Sequence, residues 1–243
     1  MKSNIWPESC AGAVSLTFDD GVPHHAVRIA PLMAGFGIRG TFYVNPNDAW
    51  LERVEDWRAA YAAGHEIGNH TVGHPCSCNH GWRARGLEEM TLEDIEEEIR
   101  RGCYSIRRAI PDQKTMSFCY PCYESFVGRG PTRQSYVPVV TRYHAAARGG
   151  GEDFNRPDLV DLHYVWSYDC RRMSGAELIG LCEQAAAGGG WAVLTFHGIG
   201  EAHHIVGNSD FRTLCDHLVA NRARIWTAPF WEVAQRIQEA RSS

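Results

Sequence analysis

No stretch of the 243-residue chain is apolar for long enough to cross a membrane. The opening residues, Met1-Lys2-Ser3-Asn4-Ile5-Trp6-Pro7, lack the apolar segment of a secretory signal. Basic charge is not in excess either: 24 Lys and Arg face 29 Asp and Glu, and the formal net charge of -5 leaves no field to attract a nucleic acid. The nine cysteines are odd in number and irregularly spaced, which argues against a disulfide framework and leads us to expect a cytoplasmic protein with mostly reduced thiols. No linker or low-complexity segment divides the chain, so residues 1–243 are read as one domain.

What is present is a core-forming composition, 44% hydrophobic, in which strand-like and helix-like segments alternate. Strands are expected at Ala13–Phe18, Thr41–Val44, Ser117–Tyr120, Ala145–Arg148, Leu162–Trp166, Trp191–Phe196 and Ile225–Thr227. Helices are expected at His24–Met33, Ala49–Ala63, Thr91–Ile110, Gly175–Ala187, Phe211–Asn221 and from Pro229 onward; Thr91 with Asp94 resembles a capping box. The acidic run Glu93 to Glu98, followed by Arg100 and Arg101, suits the dipole of one solvated helix. Repeated β-then-α units predict an α/β fold with a parallel sheet. Two loops, Cys76–Glu88 and Tyr123–Tyr136, are long and polar, as the rim of a site tends to be.

The residues with chemical potential sit where strands give way to loops: Asp19 and Asp20, His70, Cys119 to Cys122, Asp169 and His197. In parallel α/β folds those strand ends share one face, where active sites collect. Thr17-Phe18-Asp19-Asp20-Gly21 supplies two adjacent carboxylates, and His70-Thr71-Val72-Gly73-His74 supplies two imidazoles. Two imidazoles and one carboxylate can hold a divalent metal with positions left for water, and the other carboxylate can then act as a base. Taken singly, each motif has a plain alternative: Asp19-Asp20 as turn and cap residues, His70 and His74 as a chance spacing, His197 as a core histidine.

Together, in this order and spacing, the motifs resemble those of the polysaccharide deacetylases, carbohydrate esterase family 4, with the NodB-homology domain. The resemblance runs from about Ala13 to the last strand. It implies a single distorted (β/α) barrel of about seven parallel strands. It also implies a metal-dependent hydrolase that removes acetyl groups from acetylated oligo- or polysaccharides, O-acetyl xylan or N-acetylglucosamine oligomers. By the same resemblance Asp19 is the catalytic base, Asp20, His70 and His74 hold the metal, His197 is the general acid and Asp169 orients it. The backbone amide beside the oxyanion falls near Cys122. Zn2+ suits such a ligand set, and Co2+ or Ni2+ would fit it.

The third motif departs from the family pattern. Phe118-Cys119-Tyr120-Pro121-Cys122-Tyr123 has Cys119 where the family has the Arg that pairs with the base, and Tyr123 where it has Gly. Arg148, on a nearby strand, is the candidate replacement for that Arg. The departure keeps two other readings open: a non-catalytic relative that binds sugar or metal, and a hydrolase of non-sugar amides or imides. Cys119-x-x-Cys122 has the spacing of a redox pair but is read as two packed small residues. Cys76-Ser77-Cys78 could bind a soft metal but lacks the further thiols of a structural zinc site. His203 and His204 either line the cleft or lie on the surface.

Overall fold

The computed structural model describes residues 5–7, 10–81, 85–201 and 205–242. Its main sheet is parallel throughout. The strands are β1 (Gly12–Phe18), β2 (Thr41–Val44), β3 (Glu66–Asn69), β4 (Phe118–Cys119), β7 (Ala147–Arg148), β8 (Tyr168–Asp169) and β9 (Trp191–Phe196). They are ordered β7-β4-β3-β2-β1-β9-β8. A further strand, β12 (Ile225–Thr227), pairs with Gly12–Val14 of β1, while Thr17–Phe18 of the same strand pairs with β2. The ends of the path approach each other. The amide of Gly149, just after β7, donates to Val165 O at 2.8 Å, and that of Gly151 to Ser167 O at 3.1 Å, so the segment entering β8 draws the sheet into a distorted barrel.

Two short pairs lie outside this sheet: β5 (Phe126–Val127) with β6 (Gln134–Ser135), and β10 (Gly198–Ile199) with β11 (Ile205–Val206). The first lies in the second of the two long loops.

The helices pack outside, with their caps where the sequence puts them. They are α1 (Ala30–Gly35), α2 (Asp48–Leu51), α3 (Val54–Ala62), α4 (Leu92–Ala109), α5 (Val137–Val140), α6 (Gly175–Ala187), α7 (Asn208–Ala220) and α8 (Phe230–Ser242). Thr91 Oγ1 accepts the Asp94 amide while Asp94 Oδ2 accepts that of Thr91, a reciprocal box at the start of α4. Ile95, Ile99, Cys103 and Ile106 then recur at helical spacing and are buried. Ser174 and Glu177 cap α6 in the same way.

Three elements differ from expectation. The helix expected from His24 opens as a π-helical turn, His25–Ile29, and becomes α1 only afterward, where Pro31 has no amide to continue an unbroken ladder. The helix expected over Ala49–Ala63 is split into α2 and α3. The strand expected at Leu162–Trp166 contributes one bridge at Val165, and the named strand falls at β8.

The alternation of side chains along the strands decides what the barrel contains. Val14, Leu16 and Phe18 of β1, and Ala192, Leu194 and Phe196 of β9, join the apolar layer under the helices. Ala13, Ser15, Thr17 and then Asp19 take the opposite parity, as do Val193, Thr195 and His197. Trp191 and Phe230, ring centroids 4.8 Å apart, help fill the barrel from below, where α8 begins. The inner face is therefore small and polar toward the carboxyl ends of the strands, and the site is built there.

Candidate active site

The chain leaves β1 sharply. Asp19 keeps a backbone bond from its amide to Phe196 O at 2.9 Å, after which Asp20 and Gly21 have φ of 71° and 56°. Asp tolerates that left-handed conformation better than most residues, and at Gly21 a Cβ would crowd Val44 at 3.0 Å. The turn sends the Asp19 carboxylate down into the barrel and the Asp20 carboxylate toward the loop after β3.

That loop brings in the two histidines. Inner-face parity along β3 (Glu66, Gly68, His70) points His70 at the site. Its Nδ1 donates to Cys119 O at 2.9 Å, which fixes the tautomer and leaves the Nε2 lone pair facing Asp20 Oδ1, 3.6 Å away. Burial disfavours the charged imidazole and lowers its pKa despite the nearby Asp19 and Asp20 carboxylates. His74 comes back to the same place on a tight loop. Its Nε2 is 3.3 Å from Asp20 Oδ1, and the two rings lie 4.7 Å apart between centroids. The loop is held by polar bonds: Asn45 Nδ2 donates to the carbonyls of His70 and Thr71, Asn69 Oδ1 accepts the Thr71 amide, and Thr71 Oγ1 accepts that of His74. Asp20, His70 and His74 thus converge with one ligand atom each within 4.8 Å of the others. An oxygen and two nitrogens in this arrangement fit a divalent ion such as Zn2+.

Asp19 is only 3% exposed and does not face its partner histidines alone. Arg148, fully buried, sends Nη2 to Asp19 Oδ2 at 2.5 Å. The same Nη2 lies 2.5 Å from Cys119 Sγ, and Nη1 donates to Ser167 Oγ at 3.2 Å and to Thr195 Oγ1. The guanidinium also stands 5.1 Å from the centroid of the Tyr43 ring and 5.6 Å from that of Tyr123. Burial by itself would raise the Asp19 pKa. The guanidinium, assisted by His70 and His197, outweighs it and holds the carboxyl down at about 2. Cys119 is packed and protonated: burial pushes its thiol up, and it does not pair with Cys122.

Cys122 is instead bonded to Cys76, 46 residues earlier, so one disulfide joins the loop after His74 to the turn after β4. This corrects the expectation that the cysteines would form no such link; the other seven cysteines are free thiols. The turn itself is unusual. Cys122 and Tyr123 both have positive φ, 52° and 61°, a region that costs most residues free energy and that Gly would enter without penalty. The disulfide and Tyr164, whose hydroxyl donates to Tyr123 O at 2.7 Å, hold it there.

His197 follows β9 with inner-face parity, its carbonyl accepting from His25 Nε2 at 2.9 Å. His25 is wholly buried, and burial lowers its pKa to about 3, so it stays neutral. Asp169 shares the inner parity on β8, opposite Thr195 in register, but its carboxylate turns to Arg171: Oδ2 takes Nε at 2.8 Å and Oδ1 takes the backbone amide at 3.1 Å. The structure thus groups Asp19, Asp20, His70, His74 and Arg148 in direct contact and engages Asp169 elsewhere. His203 and His204 lie outside the described residues.

Several supporting residues were not singled out from the sequence: Asn45, Asn69, Thr71, Ser167, Thr195 and His25. The only signal for Asn45, Asn69, Thr71, Ser167 and Thr195 was position in or beside a strand end, and His25 lies in the helical turn after the first motif. Their partners in the site are 19 to 172 residues distant or are set by loop geometry.

The sequence model of the family described as polysaccharide deacetylase matches residues 8–125 of this chain. A chitooligosaccharide deacetylase of Sinorhizobium fredii is 32% identical over 109 residues, 44% of this chain and 46% of that protein. The chain spans less than half the length of the curated relatives it matches. Among solved structures, a family 4 carbohydrate esterase from Streptomyces lividans superposes with a TM-score of 0.57 at 18% identity, covering 88% of this chain and 91% of that one. A family 4 pseudoenzyme from Bacillus anthracis gives 0.60 at 14% identity, covering 92% and 65%. At such identities these likenesses concern the fold: the barrel is that of the carbohydrate esterases of family 4.

Proposed function

We propose that the chain, whose residues 8–125 match the polysaccharide deacetylase family, is a metal-dependent hydrolase that removes acetyl groups from acetylated carbohydrates, O-acetylated xylo-oligosaccharides or N-acetylglucosamine oligomers. One observation carries the reading: a carboxylate paired with a buried guanidinium, Asp19 with Arg148, stands directly beside the convergent Asp20, His70 and His74. Asp20, His70 and His74 would hold Zn2+, or Co2+ or Ni2+ in its place, which would lower the pKa of water and polarise an acyl carbonyl.

The side chains supply the rest. Asp19, kept ionised by Arg148, accepts the proton of the attacking water. The Cys122 amide, in its constrained turn, donates to the developing oxyanion. His197 gives a proton to the departing nitrogen or oxygen; an amine needs that proton more than an alcohol does, so the same groups serve both N- and O-deacetylation. A cleft of about 370 Å³ beside Tyr123 is lined by carboxylates, hydroxyls and rings, including Ser77, Glu88, Glu124 and Tyr164, and suits the hydroxyls of neighbouring sugar units.

The departure at Cys119 favoured a non-catalytic relative only while the guanidinium was missing, and Arg148 supplies one. Cytoplasmic residence belongs to the proposal. Because the cytosol keeps thiols reduced, fractionation combined with thiol trapping would test it.

The functional test is acetate release from acetylated xylo- and chito-oligosaccharides by native, chelated and zinc-restored protein, with Asp19→Asn alongside. Metal-dependent release abolished by the substitution is the expected result, and the preferred sugar then assigns ester or amide chemistry. Release from neither set by fully metallated protein would overturn the reading, and turnover of cyclic imides in the same assay would replace it with the non-sugar hydrolase.

A further inference from the structure

We propose that reduction of the Cys76–Cys122 disulfide creates a second metal site, made of Cys76 Sγ, Cys122 Sγ and His74 Nδ1, which takes a thiophilic divalent ion at the expense of the Asp20–His70–His74 site. Three observations carry it. His74, Cys76 and Cys122 present ligand atoms that all lie within 4.8 Å of one another, the same convergence as the carboxylate–imidazole set. The two sulfurs are joined only by the bond that reduction removes. The His74 ring stands between the two groups, with Nε2 3.3 Å from Asp20 Oδ1 and Nδ1 3.5 Å from Cys76 Sγ.

The exclusion between the sites follows from the imidazole. A disulfide sulfur has no proton to give, so in the oxidised protein the contact at Cys76 is a donation from Nδ1–H to sulfur, and the Nε2 lone pair faces Asp20. A neutral imidazole offers one lone pair at a time. For Nδ1 to ligate, its proton must move, through solvent, to Nε2, and Nε2 is then lost to the other site.

The chemistry balances. A phosphine reductant breaks the S–S bond and leaves as its oxide with an oxygen from water, and two S–H bonds form. Binding of the ion then releases both thiol protons to solvent. Two thiolates and an imidazole favour Zn2+ or Co2+ over harder cations, with one position left for water. Cys76 is buried and Cys122 partly so, which limits competition from solvent. Only the sharing of His74 rests on the proposed hydrolase; the sulfur site itself does not.

The experiment is cobalt loading of the whole protein, oxidised and phosphine-reduced, followed by metal analysis and by the near-ultraviolet sulfur-to-cobalt charge-transfer absorption. The oxidised protein should bind about one cobalt without that absorption. The reduced protein should show it, should lose it in Cys122→Ser and in Cys76→Ser, and should keep it in Cys78→Ser, which removes the exposed neighbouring thiol. Circular dichroism of the two serine variants separates loss of the site from loss of the fold. Reduced wild-type protein without the absorption would overturn the proposal, as would absorption unchanged in Cys122→Ser or nine titratable thiols before reduction. The readout is independent of turnover: absent acetate release with the expected spectra sinks the deacetylase alone, and intact release without the spectral change sinks the sulfur site alone.

Discussion

Cys119 and Arg148 are Cα partners across the parallel pair β4–β7, and the guanidinium of the second lies against the short side chain of the first on its way to Asp19. The cation is delivered from β7 into the volume that the short Cys119 side chain leaves open on β4. The hydroxyls of Ser167 and Thr195 receive its other nitrogen.

Arg148→Ala should therefore do two things at once. It leaves a buried carboxylate without its partner, which costs about 3–5 kcal/mol of stability in urea unfolding. It also lowers acetate release by roughly two orders of magnitude, because the Asp19 pKa rises once burial is opposed only by the weaker influence of His70 and His197. Arg148→Lys should not rescue, since one ammonium cannot span Asp19, Ser167 and Thr195. Cys119→Arg in the Arg148→Ala background should recover part of the activity; no recovery would mean that the direction of approach, and not only the charge, is required.

Asp20→Asn, His70→Asn and His74→Asn should each abolish stoichiometric metal retention after dialysis. The loop that aims His74 is a second lever. Asn45→Ala removes the donor that holds the His70 and Thr71 carbonyls and should weaken metal binding roughly tenfold in competition titrations. Unchanged affinity would show that the loop is held without it.

Stability should fall with acid through three buried imidazoles. Burial lowers His65 and His144 to about 4 and His25 to about 3, against an ordinary 6.5. The folded state resists protons that the unfolded chain accepts, so this part of the stability is complete above pH 6.5. It is lost as pH falls toward 4, and for His25 toward 3. Melting temperature measured from pH 7.5 to 4.5 should decline across that window. A well-folded His144→Gln protein should show a shallower slope.

Asp169 and His197 should separate in mutation. His197→Ala removes a proton donor and should cost roughly 10²- to 10⁴-fold in turnover. Asp169 sits in a partly exposed ion pair with Arg171, worth at most about 1 kcal/mol, so Asp169→Asn should change turnover by less than about fivefold. A loss comparable to that of His197→Ala would restore Asp169 as the residue that orients the imidazole.

Much of the fold was legible before the structure. Thr41–Val44, Trp191–Phe196, Gly175–Ala187 and the cap of α4 fall where propensity, periodicity and capping put them, because those signals are local. The disulfide was not legible, since its partners are 46 residues apart and nothing in their spacing links them. The engagement of Asp169 with Arg171 was not legible either. Parity puts its Cβ on the inner face, but the side chain can still turn away to a nearer cation.

What the sequence determined by itself is the inventory and its side of the barrel. Two adjacent carboxylates after β1, two histidines after β3 and one after β9 follow strands whose alternation already separates an apolar helix-facing side from a polar inner one. Only the tertiary structure decided which inner-face groups touch. Strand register sets Arg148 beside Cys119, and chain reversal at Asp20 and Thr71 brings Asp20, His70 and His74 to one point. The reason is range: alternation and capping act within a few residues, whereas an ion pair between residues 129 apart exists only once the sheet has closed around it.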